Sequence, residues 1–353
     1  MSTMAVQQDT EPPLLTLPAE LMEAVADNVS AADLRALKLT CRLVNTNVQR
    51  AFVRAHFTEQ SFILSSPQSM QALVDITKDK VYGKVIRTLN LLALKIPKSP
   101  PYAQGRYGRR RAAEGQPDPD RDTRIQKPLR EALQQIKTST DGISINLINT
   151  TAELRSACGV RALESILGQA DCLSEIGSYQ SAIPTLLHAI SEGGCPLVGF
   201  RFSDPRAIII AGDWSQQHHP GLFNGLRTVD IGFRVGLNPI DLLAIRLGCA
   251  DHLEHLIVRT GLWWQKYTDY SPVLETTAEL SKLREVEIIG PYPEPRHLAA
   301  FCTRYGKTLK RLTLSGAPVH IHEQNQVRRE QARTAVEKAW SAAGIKGIEF
   351  ELS

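Results

Sequence analysis

The sequence predicts an α/β chain: a small helical head, then an irregular solenoid with parallel strands on one face and helices on the other. Three observations predict it. Residues 15–44 carry two amphipathic helical patterns with start signals. A pattern of large apolar residues, apolar-x-x-apolar-x-apolar, recurs at a near-constant period through the second half. Stretches with apolar residues at helical spacing fill the gaps between its copies.

The head opens at Leu17-Pro18, where a proline at the first helical position gives up only an amide that had no partner. Glu20 and Glu23 follow in the first turns, where negative charge suits a helix N-terminus. Leu21, Val25 and Val29 form one apolar stripe. Ser30 with Asp33 three residues on has the form of a capping box, Asp replacing the usual Glu or Gln, so a second helix starts there. Leu34, Leu37, Cys41, Val44 and Val48 make its seam, and Phe52, Val53 and Phe57 continue that face. So few short helices cannot bury enough surface alone, and their stripes must pack on something outside the segment.

Residues 1–13 read as a flexible tail, 14–58 as the head and 59–353 as the repeat domain. Phe62-Ile63-Leu64 reads as a short strand. Ser66-Pro67 starts a helix carrying Met70, Leu73, Val74 and Ile76, and a second strand lies within 84–94. Residues 97–124 are rich in Pro, Gly and charge, which predicts a disordered insert. Arg109-Arg110-Arg111 within it reads as a solvated cluster.

The repeat starts at Leu197, Leu226, Leu253, Leu283 and Leu309, with spacings of 29, 27, 30 and 26 residues. Ile86-x-x-Leu89-x-Leu91 is an earlier member and Ile345-x-x-Ile348-x-Phe350 a terminal one. Ile143 to Leu147 alternates and belongs to the same sheet. Helical stripes are Ile183, Leu186, Leu187, Ile190; Ile240, Leu243, Ala244, Leu247; and Leu298, Phe301, Cys302. A polar helix from Glu323 to Ala343, with Val327, Ala332, Val336 and Trp340 inward, forms with the last strand a C-terminal cap over about 323–353. Alternation then sends the residues between the apolar ones to the concave face: Arg201, Asp230, His255, Ile257, Arg259, Glu285, Glu287, Arg311 and Thr313. This mixed-charge strip suits a protein substrate better than a nucleic-acid backbone, which wants mostly Lys and Arg.

The head resembles an F-box. Leu17-Pro18-x-Glu20-Leu21, then Asp33-Leu34 and Thr40-Cys41-Arg42, follow the order and spacing of that family, with Val44 where many members carry Trp. A strand and helix per unit of this length resembles a leucine-rich repeat, although the asparagine usual after the strand is missing. The combination is similar to F-box/leucine-rich-repeat proteins, particularly those of filamentous fungi. The resemblance implies a substrate-receptor subunit of an SCF-type cullin–RING ubiquitin ligase, with a Skp-type adaptor as partner and a cullin recruited through it. It places Leu17, Pro18, Leu21, Val25, Leu34, Leu37 and Cys41 in or near the adaptor contact. A scaffold that binds the adaptor without directing ubiquitin transfer stays open as the alternative, as does a repeat protein that the helices merely cap.

Composition agrees with an intracellular, cytoplasmic or nuclear protein. Hydrophobic residues are 42% and charged residues 22%, and the net charge of +4 is small for 353 residues. That argues against nucleic acid or an anionic membrane as the main partner. The N-terminus has no apolar core of a signal peptide, and no apolar run reaches membrane-spanning length. The six cysteines stand singly, as buried thiols in a reducing compartment do. Phosphate-loop, nucleophile-elbow, dinucleotide-binding and zinc-protease motifs are absent, so no catalytic role and no cofactor is expected. His218-His219, His252 with His255, and His320-x-His322 lack further ligands for a metal. Trp263-Trp264 reads as half core, half loop cover.

Overall fold

The computed structural model describes residues 13–64, 66–92, 119–148, 157–158, 182–203, 222–234, 251–261, 280–290, 292–315, 322–342 and 349–352. Its centre is one nine-stranded sheet, all parallel, with the strands in sequence order. The strands are β1 (Glu59–Ile63), β2 (Thr88–Leu92), β3 (Ile143–Ile148), β4 (Leu197–Ser203), β5 (Thr228–Arg234), β6 (His255–Gly261), β7 (Glu285–Ile289), β8 (Arg311–Ser315) and β9 (Glu349–Leu352). Each pairs with the next, the solenoid-like plan of an α/β fold.

Two columns of apolar side chains run across the sheet because the strands pair in register. One holds Leu89, Ile145, Phe200, Val229, Leu256, Val286, Leu312 and Phe350. The other runs from Phe62 through Leu91, Leu147, Phe202, Ile231, Val258, Ile288 and Leu314 to Leu352. Leu352 follows Leu314, so the last copy of the repeat sits two residues later than Ile345-x-x-Ile348-x-Phe350. One irregularity lies at β3–β4, where Ile143 faces Leu197 but Ser144 faces Gly199. Val198 is the extra residue, and a Cβ at Gly199 would collide with the Ser144 hydroxyl.

Helices α5 (Pro67–Lys78), α6 (Pro119–Lys137), α7 (Ala182–Gly193), α8 (Pro295–Tyr305) and α9 (His322–Ala342) bury their stripes in the core these columns form. Ser66 caps α5 by accepting from the Ser69 amide at 3.2 Å, with Pro67 at its first turn. Helix α6 begins at Pro119, inside the stretch 97–124 expected to lack structure; residues 97–118 lie outside the described residues. On α9, Ala332 and Val336 are buried and Trp340 meets Phe350 edge-on at 5.7 Å between centroids. Val327 is exposed, not inward as its spacing suggested. The stripe 240–247, Arg109–Arg111, His218-His219, His320 and Trp263-Trp264 lie outside the described residues.

The head is four helices, α1 (Ala19–Asp27), α2 (Ala31–Lys38), α3 (Arg42–Asn47) and α4 (Gln49–Phe57). The long seam from Leu34 to Val48 is thus broken: Thr40 Oγ1 donates to the Leu37 carbonyl at 2.7 Å and Cys41 is extended. Ser30 caps α2 by accepting from the Asp33 amide at 3.2 Å, and its hydroxyl donates to Asp33 Oδ2 at 2.7 Å. Met22, Ala26, Leu34, Val44, Val48 and Ala51 make the head's own small core. It joins the sheet where Phe57 packs on Tyr82 at 4.4 Å and the Arg87 and Thr88 amides donate to the Thr58 carbonyl.

Cys302 on α8 is fully buried, and burial pushes its thiol up to about 12 from an ordinary 9.0. The unfolded chain therefore releases this proton first, and the stability it represents is lost as pH rises from about 9 to about 12. Cys302→Ala, which removes the group, lowers stability near neutrality through the cavity it leaves. Its deficit relative to the native chain shrinks between pH 9 and 12 in denaturant titrations, and a constant deficit contradicts the assignment.

Candidate functional site

Two surfaces stand out: an apolar strip on the head and the sheet face turned away from the helices. The strip follows from how α1 sits. Met22 and Ala26 point into the head, which turns Leu21 and Val25 outward, 54% and 42% exposed. Leu17 is half-buried one turn earlier, beside exposed Pro18. Leu39 and Leu43, at the α2–α3 corner, are also exposed, and periodicity had not singled them out. Leu37 is half-buried and Cys41 exposed. Leu34 is corrected: at 2% exposure it belongs to the head's core and cannot meet a partner.

Arg54 holds the strip's helix in place. Its Nη2 donates to Asp27 Oδ1 at 2.6 Å and to Glu23 Oε1 at 3.3 Å, tying α4 to α1. His56 Nε2 lies 3.0 Å from the Ala31 carbonyl, so Nε2 carries the proton; Nδ1 then accepts from Arg35 at 3.4 Å. Lys38 sits 3.9 Å over the Phe52 ring. These contacts lie away from Leu21 and Val25 and leave them uncovered among the described residues.

The other surface is built by register. One row crosses the sheet as Ser61, Asn90, Asn146, Arg201, Asp230, Ile257, Glu287, Thr313 and Glu351. Beside it run Thr228, His255, Glu285, Arg311 and Glu349. All nine residues expected on this face do lie on it, but not all are offered to solvent. Asp230 is corrected: it is 5% exposed and sits between two arginines. Arg201 Nε reaches its Oδ2 at 3.1 Å; Arg259 grips it twice, Nε to Oδ1 at 2.7 Å and Nη2 to Oδ2 at 3.1 Å. The bond to Asp230 holds the Arg259 guanidinium above its ordinary pKa, against a smaller opposing effect of burial. Asp230 thus holds the two guanidiniums in place on this face and is itself covered by them.

Spacing alone had missed the amide ladder. Asn90 is buried; its Nδ2 donates to Glu59 Oε1 at 2.8 Å and Ser61 Oγ at 3.3 Å, and its Oδ1 accepts from Asn146 Nδ2 at 2.8 Å. Extending the same alternation into β2 and β3 finds both asparagines. Further along, His255 Nδ1 meets Glu285 at 3.1 Å, and Arg311 meets Glu349 through Nε at 2.9 Å.

No family model matches the chain. No curated protein matches it either. Among the described residues, no group of three His, Cys, Asp or Glu side chains is placed to hold a metal, and no helix is long and apolar enough to cross a membrane.

Because Asp230 is shared by two arginines, its removal costs more than the loss of either one. Asp230→Ala lowers stability by about 1–2 kcal/mol, discounted for the partial exposure of both guanidiniums. Arg201→Ala costs less, since its side chain is half exposed. Denaturant unfolding of both variants reads the order, and a larger loss for Arg201→Ala contradicts this account.

Proposed function

We propose that this chain is a substrate-receptor subunit of an SCF-type cullin–RING ubiquitin ligase. In this reading the head is an F-box that binds a Skp-type adaptor. The sheet is a degenerate leucine-rich-repeat domain whose polar face holds a protein substrate. The observation that carries the reading is the strip Leu17, Pro18, Leu21 and Val25. Pro18, Leu21 and Val25 are exposed with Leu17 half-buried beside them, on a head with its own core, in the stretch whose spacing resembles an F-box. Aliphatic side chains left in water on a folded unit fit a surface completed by another subunit. The mixed polar face suits proteins, because interface rims combine charge, amides and isolated aliphatics.

The roles divide by position. Leu17, Pro18, Leu21 and Val25 supply the apolar contact, with Leu37 and Cys41 at its margin. Leu34 holds α2 against α1 and α4 and acts only through their placement. Arg201, Arg259, His255, Glu285, Glu287, Arg311 and Thr313 face the substrate.

Co-expression with a Skp-type adaptor and affinity capture tests the reading. Leu21→Glu with Val25→Glu changes only exposed positions, so the variant folds and loses the adaptor. Leu17→Ala with Pro18→Ala loses it as well. Leu34→Ala instead destabilises the head by about 2–5 kcal/mol, as buried truncations do. Undiminished adaptor recovery from the charged double variant contradicts the assignment.

A further inference from the structure

The first strand has a second neighbour that sequence order does not supply. The Leu64 amide donates to the Leu92 carbonyl at 3.1 Å, toward β2, so the backbone groups of Ser61 and Ile63 turn to the outer edge of β1. Such an edge is where a further strand would add. Residues 157–158, which follow β3 in sequence, return to it instead. Phe62 and Cys158 form a single parallel bridge, and the Cys158 amide donates to the Ser61 carbonyl at 2.9 Å. Ala157 is buried and Cys158 half-buried.

A parallel bridge has a second bond, which here would run from the Ile63 amide to the Cys158 carbonyl. The hydroxyl of Ser69, fully buried in the first turn of α5, stands between those two groups. It accepts from the Ile63 amide at 2.8 Å and donates to the Cys158 carbonyl at 2.6 Å. A hydroxyl donates and accepts at once, so it completes the bridge. Capping does not require it, because Ser66 caps α5. The two sides of β1 are held unequally. Five register pairs join it to β2, and one bridge joins it to residues 157–158. Cys158 adds only a half-buried side chain to the core. Each hydrogen bond is worth little net, since water replaces it on opening. A segment held by one bridge therefore separates at a far lower cost than the ladder beside it.

We propose that residues 157–158 are a strap that opens and closes over the β1 edge while the sheet stays folded, with the Ser69 hydroxyl as its latch. Closed, the strap occupies the Ser61 carbonyl and, through Ser69, the Ile63 amide. Those are the two groups that a strand from another chain would need in order to add here. Open, it leaves the Ser61 carbonyl free. The inference does not depend on the adaptor, on a substrate or on ubiquitin transfer.

Residue-resolved hydrogen exchange of the full chain tests it, with each rate corrected for intrinsic exchange. The Cys158 amide, protected by the strap's own bond, exchanges at least about a hundredfold faster than the Leu64 amide, which the β1–β2 ladder protects. Ser69→Ala raises the ratio of the two rates at least about fivefold. Thr77→Val removes another buried hydroxyl from α5, one bonded to the Val74 carbonyl and not to the strap, and leaves the ratio as in the native chain. A Cys158 amide no faster than Leu64 in the native chain overturns the proposal, because the strap then opens only with the sheet. A ratio unchanged by Ser69→Ala, or changed as much by Thr77→Val, overturns the latch. Adaptor capture is a separate measurement, so failure of the strap and failure of the receptor reading are distinguishable.

Discussion

In-register pairing of parallel neighbours is the constraint on which the structure depends. Once Leu256 is paired with Val229 and Val286, every second side chain of β6 is committed to the core and every other to the opposite face. A slip of one residue would bury His255, Ile257 and Arg259 and expose Leu256 and Val258. Burying each aliphatic side chain is worth roughly 1.5–3 kcal/mol, while burying an unpaired charge costs several, so the alternative register is closed. The same constraint explains the face's chemistry. Arg201, Asp230 and Arg259 come from three strands separated by 29 residues or so in sequence, yet register sets them side by side.

The head obeys a different logic. Its core is six small or medium side chains, too few to hide every apolar residue of four helices. Ion pairs from Arg54 tie α4 to α1 within it, and the packing of Phe57 on Tyr82 with the amides of Arg87 and Thr88 on the Thr58 carbonyl joins it to the sheet. What remains exposed lies on α1 and at the α2–α3 corner. The chain therefore has an exposed apolar strip on its head and a charged, mixed-polarity face on its sheet.

Much of this was legible in the sequence because its apolar spacing is strict. The starts of five repeats matched β4 to β8, and Ser66-Pro67 marked α5. The misreadings share a cause: spacing reports periodicity but not which neighbour wins. On α1 the pairs Leu21/Val25 and Met22/Ala26 are equally periodic, and only packing against α3 and α4 decides that the second pair is inside. The resemblance alone places Leu34 at the adaptor contact; its spacing puts it on the seam, and it lies in the head's core. At the C-terminus two apolar patterns overlap, and pairing of Leu312 with Phe350 selects the later one, which brings Glu351 onto the polar face. The break at Thr40 carries no Gly or Pro; a hydroxyl on the Leu37 carbonyl ends α2. Asp230 read as a surface acid because its two arginines are remote in sequence.

The central claim is that the two surfaces serve separate partners. Hydrogen–deuterium exchange of the full chain, alone and with a Skp-type adaptor, tests it most directly. The account predicts protection within residues 14–57, strongest on α1, with the sheet strands unchanged. Protection centred on the polar face of β4–β9, or none anywhere, contradicts it.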